Sequence, residues 1–150
     1  MEKKKIIAVV CGGDSSEYEV SLRSARGIES FLDKEIFEVF IIVLTGTRWE
    51  AHLTDKKHVP VSREDFSFKV GRRTVRPDFA YITIHGTPGE NGILQGYFDL
   101  IRLPYSTSGV LIEAMTFNKF TLNQYLKGFG VSVSESLVVR RGNEDLVTDS

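Results

Sequence analysis

The sequence has little cysteine, no long apolar run and no excess of charge of one sign. Cys11 is the single cysteine among 150 residues, which excludes an intramolecular disulfide and a cysteine-based zinc site and is typical of a reducing compartment. The longest apolar run, residues 6–11, is far below the roughly 20 residues of a membrane span, so we expect a soluble, cytoplasmic chain without a signal peptide. The net charge of −1 lacks the positive field of a nucleic-acid-binding protein.

What the sequence does contain is a set of short, β-branched apolar segments separated by helical patterns. Residues 6–11, 37–44 and 79–84 are typical of strands buried on both faces of a parallel sheet. Apolar residues at helical spacing over residues 25–32 lie between the first two segments and complete a βαβ unit. The chain is long enough for one substantial core. We therefore expect an α/β fold, with an open, mostly parallel sheet and helices on both faces.

The rest of the chain divides into a polar stretch and a helical one. Residues 45–76 are charged and polar, so we interpret them as a surface excursion with weak edge strands. Apolar spacing predicts helices over residues 94–101, 110–117 and 122–129, the last of them ended by glycines. The apolar residues over 131–139 predict one more strand.

The loop after the first strand is rich in glycine and acid. Gly12 and Gly13 lack the G-x-G-x-x-G spacing of a dinucleotide site, and the acidic residues behind them would repel a pyrophosphate. A dinucleotide-dependent oxidoreductase is therefore disfavoured. An ionised carboxylate at Glu17 suits an ammonium group, although the local sequence alone favours an acid that caps the following helix or complements its dipole. Ser16 and Glu19 have the spacing of a capping box for that helix.

The loop after the third strand carries a titratable side chain at the edge of the sheet. His85 follows the strand directly, and Glu90 lies five residues later, near the start of the next helix. An imidazole here could donate to a carboxylate or to a developing oxyanion, or could simply serve in a turn. His52 and His58 fall in the polar excursion and are expected at the surface. Three scattered histidines and one cysteine predict no metal site.

Three segments together resemble a known family. Residues 12–22 resemble the first signature of the D-alanine–D-alanine ligases, in which a Gly-Gly turn leads into a Ser-x-Glu-x-Glu-Val-Ser-Leu run. Residues 85–96 resemble the second signature and residues 104–110 the third. The three occur in family order, and the resemblance extends from residue 6 to about residue 139. It favours the functional interpretations of Glu17 and His85 over the structural ones.

The resemblance implies an ATP-grasp ligase of the peptidoglycan pathway. ATP would phosphorylate the carboxylate of one D-alanine, and the amine of a second D-alanine would attack the acyl phosphate. The residues that the resemblance would place at the site are Glu17 on the first ammonium, Val20 and Ser21 in the first-substrate pocket, His85 near the acyl phosphate with Glu90 beside it, and Lys119 near the ATP phosphates. D-Lactate and D-serine remain alternatives for the second substrate.

The resemblance also implies how the chain is organised. Residues 1–116 would form the N-terminal α/β domain, and residues 117–150 would begin the central ATP-grasp subdomain. ATP and Mg²⁺ (or Mn²⁺) would be bound mainly by parts of the family that lie outside this sequence, so the chain alone is expected to be inactive. A homodimer through the N-terminal domain is implied as well. A non-catalytic domain that serves for binding or dimerisation is the remaining alternative.

Overall fold

A computed structural model describes residues 3–141, which form seven strands and four helices. The strands are β1 (Lys5–Gly12), β2 (Phe37–Thr45), β3 (Arg48–Thr54), β4 (Lys57–Pro60), β5 (Phe68–Val70), β6 (Arg73–Val75) and β7 (Phe79–Ile82). The helices are α1 (Tyr18–Phe31), α2 (Ile93–Leu100), α3 (Val110–Phe117) and α4 (Lys119–Gly128).

The main sheet has five strands in the order β4-β3-β2-β1-β7. β1 pairs in parallel with both β2 and β7, so the three strands predicted from apolar runs form the parallel part. β3 and β4 continue the sheet as antiparallel strands on the outer side of β2. The α/β class is confirmed, and the sheet is mixed because the polar stretch after β2 folds back onto that strand.

Both faces of the sheet are covered, because alternate residues of β1 point to opposite sides. Val9 and Cys11 pack beneath α1, against a cluster that includes Ala25. Val10 belongs to the larger cluster on the opposite face, together with Phe98 of α2. The β1 side chains from Ile6 to Cys11 are almost completely buried, as expected for a central strand with cover on both sides.

The interpretation of residues 45–76 as a surface excursion is wrong. Phe66, Phe68 and Val75 are almost entirely buried and belong to the larger core cluster. Trp49 of β3 packs edge-on against Tyr97 of α2, with ring centroids 5.0 Å apart. The segment covers the face of the sheet that α2 alone leaves open, and its few apolar residues all serve that purpose.

The C-terminal part is helical where helices were predicted, but the predicted strand over 131–139 is wrong. Residues 131–140 form no regular element, and no strand within the described residues 3–141 pairs with them. A strand needs a neighbour for its backbone N–H and C=O groups, and apolar residues alone do not supply one. Residues 142–150 of the proposed second domain lie outside the described residues, and its boundary at residue 117 stays a prediction. No helix within residues 3–141 is both long and apolar enough to cross a bilayer.

Candidate functional site

The two glycine-rich loops meet at the carboxyl edge of the parallel strands β1 and β7. The backbone N–H of Asp14 donates to the carbonyl of Thr87 at 3.0 Å. The hydroxyl of Ser15 donates to the carbonyl of His85 at 2.9 Å. The loops therefore form one surface, in the position where open α/β sheets bind their ligands.

Glycine is required where the first loop leaves β1. Gly12 and Gly13 both have positive φ angles, 96° and 95°. A β-carbon on Gly12 would lie 2.4 Å from the carbonyl oxygen of Leu44, and one on Gly13 would lie 2.6 Å from Cγ2 of Ile84. The chain can pass this close to both neighbouring segments only without side chains.

Ser21 holds the start of α1 against the ends of two strands. Its side chain is completely buried. The hydroxyl accepts from the backbone N–H of Gly12 at 3.0 Å and donates to the carbonyl of Thr83 at 2.8 Å. Because both contacts are with backbone, Ser21 acts here as a positioning residue for the first loop. Its neighbour Val20 is 40% exposed.

Glu17 lies at the N-terminus of α1 with its carboxylate free. It is the N-cap residue, is exposed, and makes no side-chain capping hydrogen bond. The capping box predicted from Ser16 and Glu19 is therefore wrong. The Ser15 hydroxyl, which accepts from the Glu17 N–H at 3.2 Å, ties the loop to His85 and delays the helix start by one residue. The Glu17 carboxylate is thus available to a cationic group, close to the helix dipole.

His85 and Glu90 face each other across the second loop. His85 Nδ1 lies 4.0 Å from Glu90 Oε1, and each side chain is nearly half exposed. The other Glu90 oxygen accepts from the backbone N–H of Gly86 at 2.7 Å. Glu90 therefore fixes the turn after His85 and places a carboxylate beside the imidazole.

A buried glutamine links the second loop to the third signature and was missed in the sequence. Gln95 of α2 is completely buried. Its amide nitrogen donates to the carbonyl of Gly89 at 2.6 Å and to the hydroxyl of Thr107 at 2.9 Å. The signal that could have revealed it is a polar residue on the face of a predicted amphipathic helix that is otherwise apolar. Through Gln95, Gly89 of the second loop is joined to Thr107 of the third signature.

Lys119 contacts the helical part of the chain rather than the two joined loops. It is the first residue of α4, and its ammonium donates to the carbonyl of Thr116 at 2.8 Å, at the end of α3. Asn118 caps α4 by accepting from the N–H of Thr121 at 3.0 Å. The structure therefore gives Lys119 an exposed position on the helical part of the chain.

Two further sequence expectations have clear outcomes. Cys11 is a buried strand residue, as predicted, and burial raises the pKa of its thiol to about 12, which makes it a poor nucleophile. His58 is exposed, as predicted, and His52 is half-buried, but the expectation that these two histidines are scattered is wrong. His52 and His58 lie opposite each other on β3 and β4, because the hairpin register pairs these positions.

Comparison with known families decides the identity of this fold. Residues 6–108 match the family model described as the D-ala D-ala ligase N-terminus, and the match includes both joined loops. The chain belongs to the D-alanine–D-alanine ligase family.

Curated relatives agree with this family. The D-alanine–D-alanine ligase of Phocaeicola vulgatus is 60% identical over 146 residues, which cover 97% of this chain and 44% of that relative. The ligase of Bacteroides thetaiotaomicron is 60% identical over 139 residues, covering 93% and 43%. The chain thus spans less than half the length of these ligase relatives.

Solved structures have the same fold. The D-alanine–D-alanine ligase of Aeromonas hydrophila superimposes with a TM-score of 0.80 at 26% identity, covering 98% of this chain and 55% of that one. The VanG D-Ala:D-Ser ligase of Enterococcus faecalis gives a TM-score of 0.80 at 29% identity, covering 96% and 47%. The α/β fold of this chain is therefore shared by a D-alanine–D-alanine ligase and by a D-Ala:D-Ser ligase.

Proposed function

We propose that this chain supplies the first-substrate region of an ATP-dependent D-alanine–D-alanine ligase that serves cell-wall peptidoglycan synthesis. The observation that carries the proposal is the joining of the two loops, which brings the free carboxylate of Glu17 and the His85–Glu90 pair to one edge of the sheet. The 60% identity to curated ligases supports the same substrate class.

The proposed reaction has two steps. The carboxylate of a first D-alanine attacks the γ-phosphorus of ATP, which releases ADP and leaves an acyl phosphate. The amine of a second D-alanine then attacks the acyl carbon, inorganic phosphate leaves, and D-alanyl-D-alanine forms. Rate enhancement in such a reaction comes mainly from positioning and from stabilisation of developing charge.

Glu17 is proposed to hold the ammonium of the first D-alanine. Its carboxylate is exposed and makes no capping bond, so it can accept a charge-assisted hydrogen bond without losing an internal partner. Val20 would provide an apolar wall on the same helix. Ser21, proposed to line this pocket, would act by fixing the loop through its bonds to Gly12 and Thr83.

His85 is proposed to lie near the acyl phosphate, where an imidazole N–H stabilises negative charge. Glu90, whose carboxylate lies 4.0 Å from the ring, fixes the turn through the Gly86 N–H. Because Ser15 holds the His85 carbonyl, the backbone of His85 is tied to the same loop that presents Glu17. Glu17 and His85 would therefore act on the same D-alanine, Glu17 on its ammonium and His85 near its acyl phosphate.

The described residues fit only a small part of an ATP and Mg²⁺ site. Mg²⁺ prefers oxygen ligands in octahedral geometry. Within residues 3–141, the one group of three potential metal ligands contains two histidines, which does not suit this ion. We therefore propose that ATP and Mg²⁺ (or Mn²⁺) are held mainly by regions outside this chain, and that Lys119 contributes to the phosphates from the start of α4.

The second substrate is proposed to be D-alanine. The curated relatives at 60% identity are named D-alanine–D-alanine ligases, which supports this choice. A D-Ala:D-Ser ligase has an equally similar fold, with a TM-score of 0.80, so D-serine is the second candidate, with D-lactate as a further variant. Competition between D-alanine, D-serine and D-lactate in the coupled assay separates these possibilities.

A cytoplasmic homodimer is also proposed. The single thiol, Cys11, is reduced and buried, which suits a reducing compartment. An apolar cleft lined by Leu32 and Phe79 opens between the end of α1 and the β1–β7 edge, and Phe31, which precedes Leu32 in the chain, is 91% exposed. Such an exposed apolar surface is typical of a subunit interface. Light scattering after size exclusion should give twice the monomer mass, and a strictly monomeric native-length protein would contradict the proposal.

The experiment is a steady-state comparison of variants in the native-length protein. Glu17→Gln should raise the KM for the first D-alanine about 10- to 100-fold, since a charge-assisted contact contributes roughly 1.5–3 kcal/mol. Glu19→Gln is the matched control, because Glu19 is exposed on the same first turn, and it should leave that KM unchanged.

His85→Gln should lower kcat and leave the KM for ATP nearly unchanged. An unaltered KM in Glu17→Gln would return Glu17 to a helix-dipole role. An unaltered kcat in His85→Gln would return His85 to a turn residue.

A further inference from the structure

Two histidines and a glutamate come together on the β3–β4 hairpin, away from the loops described above. Glu50 and His52 are two residues apart on β3 and therefore point to the same face of the sheet. The hairpin register places His58 directly opposite His52. One ligand atom from each of the three residues lies within 4.8 Å of the other two.

The histidine rings are already aligned. They stack with their centroids 3.6 Å apart and their planes 1° from parallel. Glu50 and His52 are half-buried, whereas His58 is exposed at the edge strand. A small rotation of the exposed ring is therefore possible without disturbing the core.

The cluster lies beside α1 on the sheet face that this helix covers. His52 pairs with Ile41 of β2, and Glu50 pairs with Val43, whose side chains pack beneath α1. α1 does not extend over β3 and β4, so a cleft remains between its flank and the hairpin. The cleft is lined on the helix side by Leu22, Arg26 and Glu29.

The charges around the cleft are mixed. Arg26 faces the histidines from α1, and Arg48 donates to Glu50 Oε1 at 2.9 Å from an exposed position. Glu29 and Asp55 supply opposing negative charge.

We propose that Glu50, His52 and His58 form a binding site for a divalent transition metal ion, with Zn²⁺ as the best chemical match. Two imidazoles and one carboxylate are a ligand set that Zn²⁺ binds at about 2.0–2.2 Å, with a fourth position left for water. Tetrahedral geometry at those bond lengths requires ligand atoms about 3.3 Å apart. The three ligand atoms lie within 4.8 Å of one another, so they must close by at most about 1.5 Å to reach that geometry.

The site would act on the structure of the hairpin. It joins β3 to the edge strand β4, and a ligand that binds only the folded hairpin stabilises the folded state. The ligand set also separates this site from that of the reaction, because Mg²⁺ prefers oxygen ligands. The proposal stands independently of the proposed ligase function.

The test is calorimetric titration of Zn²⁺ into the native-length protein, with Mg²⁺ present in excess to occupy oxygen-ligand sites. We expect a zinc site whose affinity falls at least tenfold in His58→Gln, a substitution at an exposed position that should not impair folding. His85→Gln is the matched control, because it removes the remaining histidine of the chain outside this cluster, and it should leave the zinc affinity unchanged.

A second readout reports on the ligands directly. Co²⁺ should give a d–d absorption band typical of imidazole ligands in the unmodified protein, and the band should be lost in His58→Gln. Saturating Zn²⁺ should raise the Tm by about 5–10 °C at a hundredfold excess over the Kd. Equal zinc affinity in the unmodified protein and His58→Gln, or no zinc binding in either, would overturn the proposal.

Discussion

Ser21 offers the sharpest test of how the first loop is held in place. In Ser21→Ala the backbone N–H of Gly12 and the carbonyl of Thr83 both lose the buried hydroxyl that they contact at 3.0 and 2.8 Å. A buried group left without a partner costs about 1–3 kcal/mol. Two such groups, offset by the roughly 0.5 kcal/mol by which alanine favours a helix, give a destabilisation of about 1.5–5.5 kcal/mol.

The assay is urea unfolding of the 150-residue chain, followed by the fluorescence of Trp49, its single tryptophan. With a slope of about 2 kcal/mol per molar urea, the midpoint should fall by roughly 0.8–2.8 M. Ser24→Ala is the matched control on the same helix and should leave the midpoint nearly unchanged. Equal midpoints for Ser21→Ala and Ser24→Ala would refute the reasoning that this hydroxyl holds the loop.

Two other predictions address the core. Phe66→Ala should destabilise the chain by about 3–5 kcal/mol, because the ring is completely buried against Phe98. Phe31→Ala is the control, and it should change stability little because Phe31 is 91% exposed. Similar losses of stability for the two variants would contradict the core placement of residues 45–76. Cys11 should resist thiol reagents at about pH 8 until urea is added, since its pKa of about 12 leaves almost no thiolate. Its contribution to stability should be lost as the pH rises above the ordinary value of 9.0, because the unfolded thiol then ionises and the buried one does not. Rapid labelling of the native chain would show that the thiol is accessible.

The elements with strong apolar patterns were predictable from the sequence. Strands β1, β2 and β7 and all four helices appear close to their predicted positions. The three strands and helices α1 and α2 bury a continuous run or an amphipathic stripe, whereas α3 and α4 follow their apolar spacing although none of their residues is buried. The 45–76 segment was not predictable in this way. Its contribution to the core comes from isolated residues such as Phe66. No helical or strand periodicity in this polar segment marks such residues as buried.

The residue types of the candidate site were predictable from the sequence, but the hydrogen bonds that join its loops were not. Glycines, a free acid and a histidine at strand ends were visible in the sequence. The bonds that join the loops, through Ser15, Ser21 and Gln95, link residues far apart in the chain, so no local spacing reveals them. The pairing of His52 with His58 likewise depends on a hairpin register that the polar composition concealed.

The most direct test of the proposed function is ADP release by the native-length protein with ATP and Mg²⁺, measured with and without D-alanine. We expect release that depends on D-alanine and is accompanied by D-alanyl-D-alanine. Folded protein that shows no stimulation by D-alanine would contradict the proposed function and leave the family's fold with a different acid and amine as substrates.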